Sequence, residues 1–333
     1  MDINIPYYED MTRISNSNIG WFLKYGPLYL YKKLTNQIPE DSTQAMANGT
    51  MIHEFLLQPD EFDKDYVITD FRKPSTPNQD KFCNELINTL EIEPDKALIN
   101  AYKESYKISY KDNDKTLSKA KEIASTLKGY IDYMKSNDKR IPINGYEYER
   151  LCKIKNLVKE HGYAWDALYP KTGEYHHEFH INWEYNVTNT LTDIVKCKSL
   201  LDHVWFDFEN KKCVIIDIKT TVNIHNFEES VNHYDYTRQL YFYSLAVKWY
   251  LEHEREQNVC DWDIKFYIIA IDTIQVEEVR LLKIKRSDIN RSKNIMNVQD
   301  ALRRIHWHKE NNKWNHNMEY YTNFGVETLN LDE

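Results

Sequence analysis

A chain of 333 residues with 41% hydrophobic and 14% aromatic side chains has enough apolar surface for one large core and is too apolar for intrinsic disorder. Its 43 Lys and Arg against 52 Asp and Glu leave a net charge of -9, which excludes coating nucleic acid by bulk positive charge but leaves local basic grooves open. No apolar run approaches the roughly 20 residues of a membrane helix. Residues 1–12 carry Asp2, Glu9 and Asp10, so no signal peptide is expected. The 5 Cys are scattered and never form CxxC, which favours free thiols in a cytoplasmic protein over disulfides or a zinc cage. With 8 Gly and no phosphate-loop spacing, neither an ATP-driven motor nor a nucleotide cofactor is expected.

In chain order, the first half reads as helices separated by loops. Ser17 is placed to cap a short helix ending near Tyr25, which Gly26-Pro27 stops before a further helical stretch over residues 28–34. Ser42 or Thr43 can cap a helix over residues 44–58, ended by Pro59-Asp60. Apolar spacing is mostly helical over residues 76–90, 94–102, 116–135 and 146–161, whereas 103–114 is polar and reads as a loop.

After Pro170 the pattern changes. Residues 178–185 alternate, Phe179, Ile181 and Trp183 against His180, Asn182 and Glu184, as a half-buried strand does. Residues 193–208 contain a second extended stretch and 211–219 a third, with Asn210-Lys211 suited to a tight hairpin turn. Residues 234–253 read as a strong helix, 264–271 and 276–284 as strands, and 287–308 as a basic amphipathic helix. The pattern is that of an α/β fold with a central mixed β-sheet flanked by helices. It divides into a helical part (residues 1–59), a mainly helical insertion (60–170), a sheet-and-helix core (171–310) and a polar tail (311–333).

Chemistry concentrates where the apolar strand Val214-Ile-Ile ends in Asp217-Ile218-Lys219. Side chains alternate along a strand, so Asp217 and Lys219 share one face and Ile218 takes the other. Taken alone, this piece reads equally well as an exposed strand end with a surface ion pair. Asp202 on the preceding strand changes the balance, because a short turn lets the two carboxylates converge. Carboxylates about 4 Å apart repel strongly unless a cation lies between them. Oxygen ligands completed by water or phosphate suit Mg²⁺ or Mn²⁺. Lys219 would orient or help deprotonate a water there, as phosphodiester hydrolysis requires.

Asp202, Asp217-Ile218-Lys219 and Gln239-Leu-Tyr-Phe-Tyr243 together resemble the PD-(D/E)XK nuclease superfamily. Within it, the chain is similar to the RecB-type branch, specifically to phage and prophage exonucleases of the exodeoxyribonuclease VIII (RecE) type. Gly49-Thr-Met-Ile-His53-Glu-Phe resembles that branch's GxxxH helix, and Ser15-Asn-Ser17 with the Gly26-Pro27 break resembles its entry segment. Residues 60–170 stay unmatched. The resemblance implies a restriction-endonuclease-like core in which Asp202 and Asp217 bind metal, the Ile218 carbonyl is a further ligand and Lys219 is the catalytic lysine. His53 would reach the metal from its helix, the alternative being a packed core histidine. Gln239 and Tyr243, i,i+4 on one helix, would support the lysine or contact phosphate, or else simply face the core. Glu178, in competition with Glu184, is a further metal-site candidate. Gly49, one turn before His53, would let the helix approach the sheet closely. Thr220 and Thr221 suit phosphate contact and plain strand formation equally.

Some members of this branch hold an iron–sulfur cluster, but here Gly26 precedes Pro27 and no Cys follows Cys260, so none is expected. The implied activity is a Mg²⁺-dependent exonuclease on linear duplex DNA, acting 5′-to-3′ in phage-type recombination or DNA processing. A single-strand annealing protein, self-assembly and the cytoplasm of a bacterial or phage-infected cell come with that implication. An endonuclease, a single-strand-specific nuclease and a catalytically silent binding module are the competing readings. Lys32-Lys33, Lys283-Ile-Lys285-Arg286, Arg291-Ser-Lys293 and Arg303-Arg304 with His306 and His308 are candidate phosphate contacts or solvated helix faces. Trp249, Trp262 and Trp307 are candidates to stack a frayed base or to fill the core.

Overall fold

Ser15, two residues ahead of the expected cap, opens the first helix, α1 (Asn16–Leu34), in the computed structural model. Residues 5–39, 43–88, 93–107, 113–136, 138–188, 193–276 and 278–327 are described. The Ser15 hydroxyl accepts from the Asn18 amide at 3.3 Å, and the Asn18 side chain accepts from the Ser15 amide at 2.9 Å. This reciprocal pairing satisfies two backbone donors that a helix start leaves over. Ser17 therefore lies exposed within the first turn. Gly26 kinks α1 instead of ending it: at φ 82° it takes a conformation that side-chain-bearing residues avoid, and Pro27 begins the resumed helix. The next helix, α2 (Gln44–Leu57), is capped by Thr43, whose hydroxyl accepts from the Met46 amide at 3.2 Å. Ser42, the alternative cap, lies outside the described residues.

The chain divides into two compact units, Met1–Gln58 with Lys153–Glu333, and Pro59–Cys152. Along the second run α3 (Pro59–Asp65), β1 (Tyr66–Thr69), α4 (Pro77–Asn88), α5 (Pro94–Tyr106), α6 (Asn113–Thr126), α7 (Lys128–Met134) and β2 (Ile141–Asn144). β1 and β2 pair in parallel, a two-stranded sheet that four-residue segments are too short to announce by alternation. The single helix expected over residues 116–135 is two, broken at the fully buried Leu127. Phe82, Ala101, Tyr102, Ala120, Leu127 and Ile131 form this unit's own core.

After α8 (Gly145–Glu160) and α9 (Tyr163–Leu168) comes the main sheet: β3 (Glu174–Asn186), β4 (Ile194–Asp207), β5 (Lys212–Thr221), β6 (Asp263–Asp272) and β7 (Val279–Ile284). The strands lie in chain order, and only β5 and β6 are parallel. Parallel neighbours need a crossover, here made by α10 (Phe227–His233) and α11 (Tyr236–His253). Then α12 (Arg286–Ile289), α13 (Ser292–Asn311) and α14 (Met318–Thr322) follow β7. The chain is thus α/β, a mixed sheet flanked by helices. Ile181 and Trp183 point inward from β3 as the alternation requires, and the Trp183 indole donates to Ser199 at 3.0 Å. At the β4–β5 turn, Asp207 accepts from the Asn210 amide at 3.0 Å, and Lys211 takes φ 52°. On α11, Leu240, Phe242, Val247 and Leu251 are fully buried, each large one contributing about 2 kcal/mol. Among the described residues, no helix is long and apolar enough to cross a membrane.

One irregularity positions everything that follows. β4 pairs with β3 along nearly its whole length, but with β5 only from His203↔Ile216 to Asp207↔Lys212. Towards the start of β4, the segment before α1 takes the vacated edge: the Ile14 amide donates to the Lys196 carbonyl at 2.9 Å, and the Lys198 amide to the Ile14 carbonyl at 3.0 Å. The strands therefore part at Asp202 and Asp217.

Ser15→Ala should cost about 1 kcal/mol, since it removes the cap and leaves Asn18 without its reciprocal partner. Ser17→Ala should change stability by less than about 0.5 kcal/mol. Urea unfolding of the two variants checks this, and equal losses would refute the assignment of the cap.

Candidate active site

Where β4 and β5 separate, the Ile218 amide is left without a ladder partner, and Asp202 supplies one: its Oδ2 accepts from Ile218 N at 2.6 Å. Asp202 is thereby aimed along the cleft, not into solvent. On the neighbouring strand, Glu178 has φ 47°, a left-handed conformation costing about 1 kcal/mol for a residue with a Cβ. The β3–β4 ladder skips Glu178, pairing His177↔His203 and Phe179↔Leu201. His53 arrives from α2, with Nδ1 3.6 Å from Asp202 Oδ2 and 4.0 Å from Glu178 Oε1. One ligand atom each from His53, Glu178 and Asp202 lie within 4.8 Å of one another.

Asp217 does not join that trio. Its Oδ2 forms an ion pair with Lys219 Nζ at 2.7 Å, and its Oδ1 accepts from Gln239 Nε2 at 3.1 Å. Gln239 also donates to the Tyr243 hydroxyl at 2.9 Å, so the i,i+4 pair on α11 holds the acid of the Asp217–Lys219 pair, not the lysine. Lys219 Nζ also stands 5.1 Å over the Tyr236 ring. Ile218 contributes its amide to Asp202 and a backbone hydrogen bond to His53. Glu184 is exposed, at the Lys196 position of the ladder and away from this cluster.

The electrostatics are those of too many carboxylates in a dry place. Burial, reinforced by Asp202, Glu54 and Asp217, pushes Glu178 up to about 8. Burial pushes Asp217 up to about 7, with Lys219 opposing and Asp202 adding. Burial alone would depress Lys219, but Asp217 and Asp202 outweigh it and hold its ammonium above the usual range. Burial lowers His53 and so favours the neutral imidazole, the form that binds metal. Asp217 Oδ2 is buried with no hydrogen-bond partner beyond that ion pair. A neutral imidazole and two carboxylates around one point, beside this under-satisfied carboxylate, fit a divalent cation such as Mg²⁺ or Mn²⁺.

Three contributors went unnoticed in the sequence. Glu54 follows His53 on α2 and raises Glu178, and its place within the GxxxH helix was the available signal. Tyr236 lies three residues before Gln239. Tyr7, bonded to Ser15 and within the field of Glu178, sits in a stretch without periodicity and gave no signal.

Other expectations need correction. A Cβ added at Gly49 would rest 3.6 Å from Thr220 Oγ1, an ordinary contact, so the approach of α2 to β5 does not require glycine. Thr221 Oγ1 accepts from the Asn223 amide and serves the loop. Lys33 is buried and donates to the Pro39 carbonyl. On α13, Arg303 and Arg304 pair with Asp300, Arg304 also with Glu319, and His308 is fully buried against Trp314. Arg291 pairs with Asp288, and His306 lies 3.7 Å from Asp193. Lys283, Lys285, Arg286 and Lys293 remain exposed. Trp262 is buried, Trp249 stacks on His253, and Trp307 packs against Tyr321.

Residues 182–322 match the model of a family described as a PDDEXK-like domain of unknown function. No curated protein matches the chain. Among solved structures, a candidate exonuclease from Eubacterium rectale shares 10% identity over 100% of this chain and 97% of its own, with a TM-score of 0.49. The structure of SSO0001 shares 12% identity over 68% of this chain and 83% of its own, with a TM-score of 0.26. Neither likeness is close enough to bear on the chemistry.

The raised carboxyls make metal-free stability depend on pH. Unfolded, they titrate near pH 4, so above that the folded protein holds protons that the unfolded chain has released, and stability falls as pH rises towards about 8. Buried His177 and His203, lowered to about 4 and about 3, work in the opposite direction, but only below about pH 6.5, where unfolded histidine titrates. In chelator, the melting temperature should therefore fall between about pH 6.5 and 8, and less steeply in Glu178→Gln. A flat profile in the wild type would contradict the burial of these carboxyls.

Proposed function

Since the chain belongs to the PD-(D/E)XK nuclease superfamily through residues 182–322, we propose that it is a divalent-metal-dependent DNA nuclease that attacks linear duplex from its ends. The observation that carries this reading is the meeting of His53, Glu178 and Asp202 within 4.8 Å, next to the Asp217–Lys219–Gln239 set. His53, Glu178 and Asp202 would hold the cation, with Asp217 and the Ile218 carbonyl as further ligands. When bound, such an ion neutralises charge at phosphorus and acidifies water.

The chain's own residues do the rest. The Ile218 amide fixes the Asp202 carboxylate in place, so its ligand geometry is set before anything binds. Lys219, kept charged by its acidic neighbours, is suited to stabilising negative charge on the scissile phosphate or orienting the attacking water. Gln239, aligned by Tyr243, holds Asp217 in place to keep Lys219 there. Polarity from 5′ to 3′, a role in phage-type recombination, an annealing-protein partner and self-assembly belong to the proposal through the resemblance to exodeoxyribonuclease VIII-type enzymes.

Incubation with Mg²⁺ or Mn²⁺ should release nucleotides from linear duplex, with label lost first from 5′-labelled ends, and leave covalently closed circles intact. Comparable cutting of closed circles would mean an endonuclease. No cleavage of any DNA or RNA under these conditions would mean a silent binding module. Asp202→Asn, Asp217→Asn and Lys219→Met should each lower kcat by about 100-fold or more, and Gln239→Ala by about 10-fold. Chelator should abolish activity in the wild type.

A further inference from the structure

Beside Lys219 stands a row of aromatic rings. Phe227, buried in the core, lies 6.1 Å from Tyr236 at an interplanar angle of 31°. Tyr236 sits under the Lys219 ammonium and stacks on Tyr234, with centroids 5.7 Å apart and planes at 20°. Asp235 makes the turn between the two tyrosines in the left-handed region, φ 52°, a strained choice for a residue with a side chain. Tyr234 carries the row outward: it stacks on Tyr236, meets the His233 ring edge-to-face with centroids 4.7 Å apart, and is 60% exposed as a residue. An exposed tyrosine alone needs no explanation. This one is joined, through a single intervening ring, to Lys219.

We propose that the exposed Tyr234 is a stacking platform for a nucleobase of the strand being cut, set one aromatic ring away from Lys219. The proposal rests on the nuclease reading and specifies its substrate further. Every nucleobase has a π-face, so a lone tyrosine platform grips without reading sequence. A base inside an intact duplex has both faces covered by its neighbours. The occupant of Tyr234 is therefore a terminal or unpaired base, and the strand enters the site by an end or a single-stranded stretch. Trp249, Trp262 and Trp307 are turned to the core or to neighbouring rings and offer no such platform.

The test uses full-length wild type, Tyr234→Ala and Tyr234→Phe, first compared by thermal melting. Cleavage with Mn²⁺ is followed on single-stranded oligonucleotides carrying one abasic site at successive positions. Tyr234→Ala should raise KM about tenfold with little change in kcat, while Tyr234→Phe stays near wild type. One abasic position should impose a similar penalty on the wild type and none further on Tyr234→Ala. An unchanged KM in Tyr234→Ala, or an abasic penalty undiminished in it, overturns the platform. In parallel, chelator-treated proteins are titrated into an oligonucleotide with terminal 2-aminopurine. Quenching by wild type and Tyr234→Phe that is lost in Tyr234→Ala supports the platform even if no protein cleaves, in which case only the nuclease reading falls. Equal quenching, or none, in wild type and Tyr234→Ala overturns it whether or not cleavage occurs.

Discussion

Everything at this site depends on a shortage of positive charge where β4 and β5 part. Glu178 and Asp202 meet beside the Asp217–Lys219 pair, whose lysine is the one that faces these acids among the described residues, and Glu54 adds a fourth carboxyl to the field around Glu178. Low-dielectric surroundings make each repulsion stronger than it would be in water, and the protein's own remedy is to keep protons on the acids. Such an arrangement is poor for the stability of the metal-free protein and suits a divalent cation, which would replace those protons and remove the repulsion together. Removing either the histidine or the lysine would alter which acids stay charged, so the members act as one electrostatic unit.

The scaffold keeps that unit from relaxing. If β4 and β5 paired along their full length, backbone ladders would hold Asp202 and Asp217 side by side, and the Ile218 amide would not be available to orient Asp202. The Ile14 bridge to β4 keeps the strands apart, because it satisfies the backbone that β5 leaves over. On the far side of Asp217, α11 is anchored by its fully buried apolar residues, so Gln239 and Tyr243 reach the acid from a rigid base. α2 brings His53 over the strand ends, with Ile52, Phe55, Leu56 and Leu57 buried along it. Three elements distant in sequence thus converge on two strand ends, and each is held by packing that lies away from the chemistry.

Much of this was legible in the sequence because its strongest signals are local. Alternation in β3, the apolar run of β5 and the i,i+4 spacing on α11 follow from the geometry of single elements. What was not legible depends on contacts between elements. Ser15 and Ser17 are both good caps in isolation, and only the partner position of Asn18 decides between them. The basic look of α13 dissolves once Asp300 and Glu319 are seen beside its arginines. Asp217 was paired with Asp202 because the hairpin makes them neighbours, but the splay turns Asp217 to Lys219 and brings Glu178 to Asp202 instead. A left-handed φ at a glutamate has no sequence signature at all.

The net charge of -9 takes on a different meaning in this light. Bulk repulsion of a polyanion is screened over about 8 Å at physiological ionic strength, so the overall count matters little at the cleft. The local field matters, and without a cation it is hostile to phosphate: several carboxyls face one lysine. A phosphodiester can therefore approach Lys219 only when the carboxyls are neutralised, by protons or by metal. Protonation would take away the ligands that the cation needs. On the proposed reading, metal occupancy and substrate binding would be coupled through the same carboxyls, and the cation would act in binding as much as in bond cleavage. An uncharged contact such as the proposed stacked base would then grip DNA at the cleft independently of that coupling.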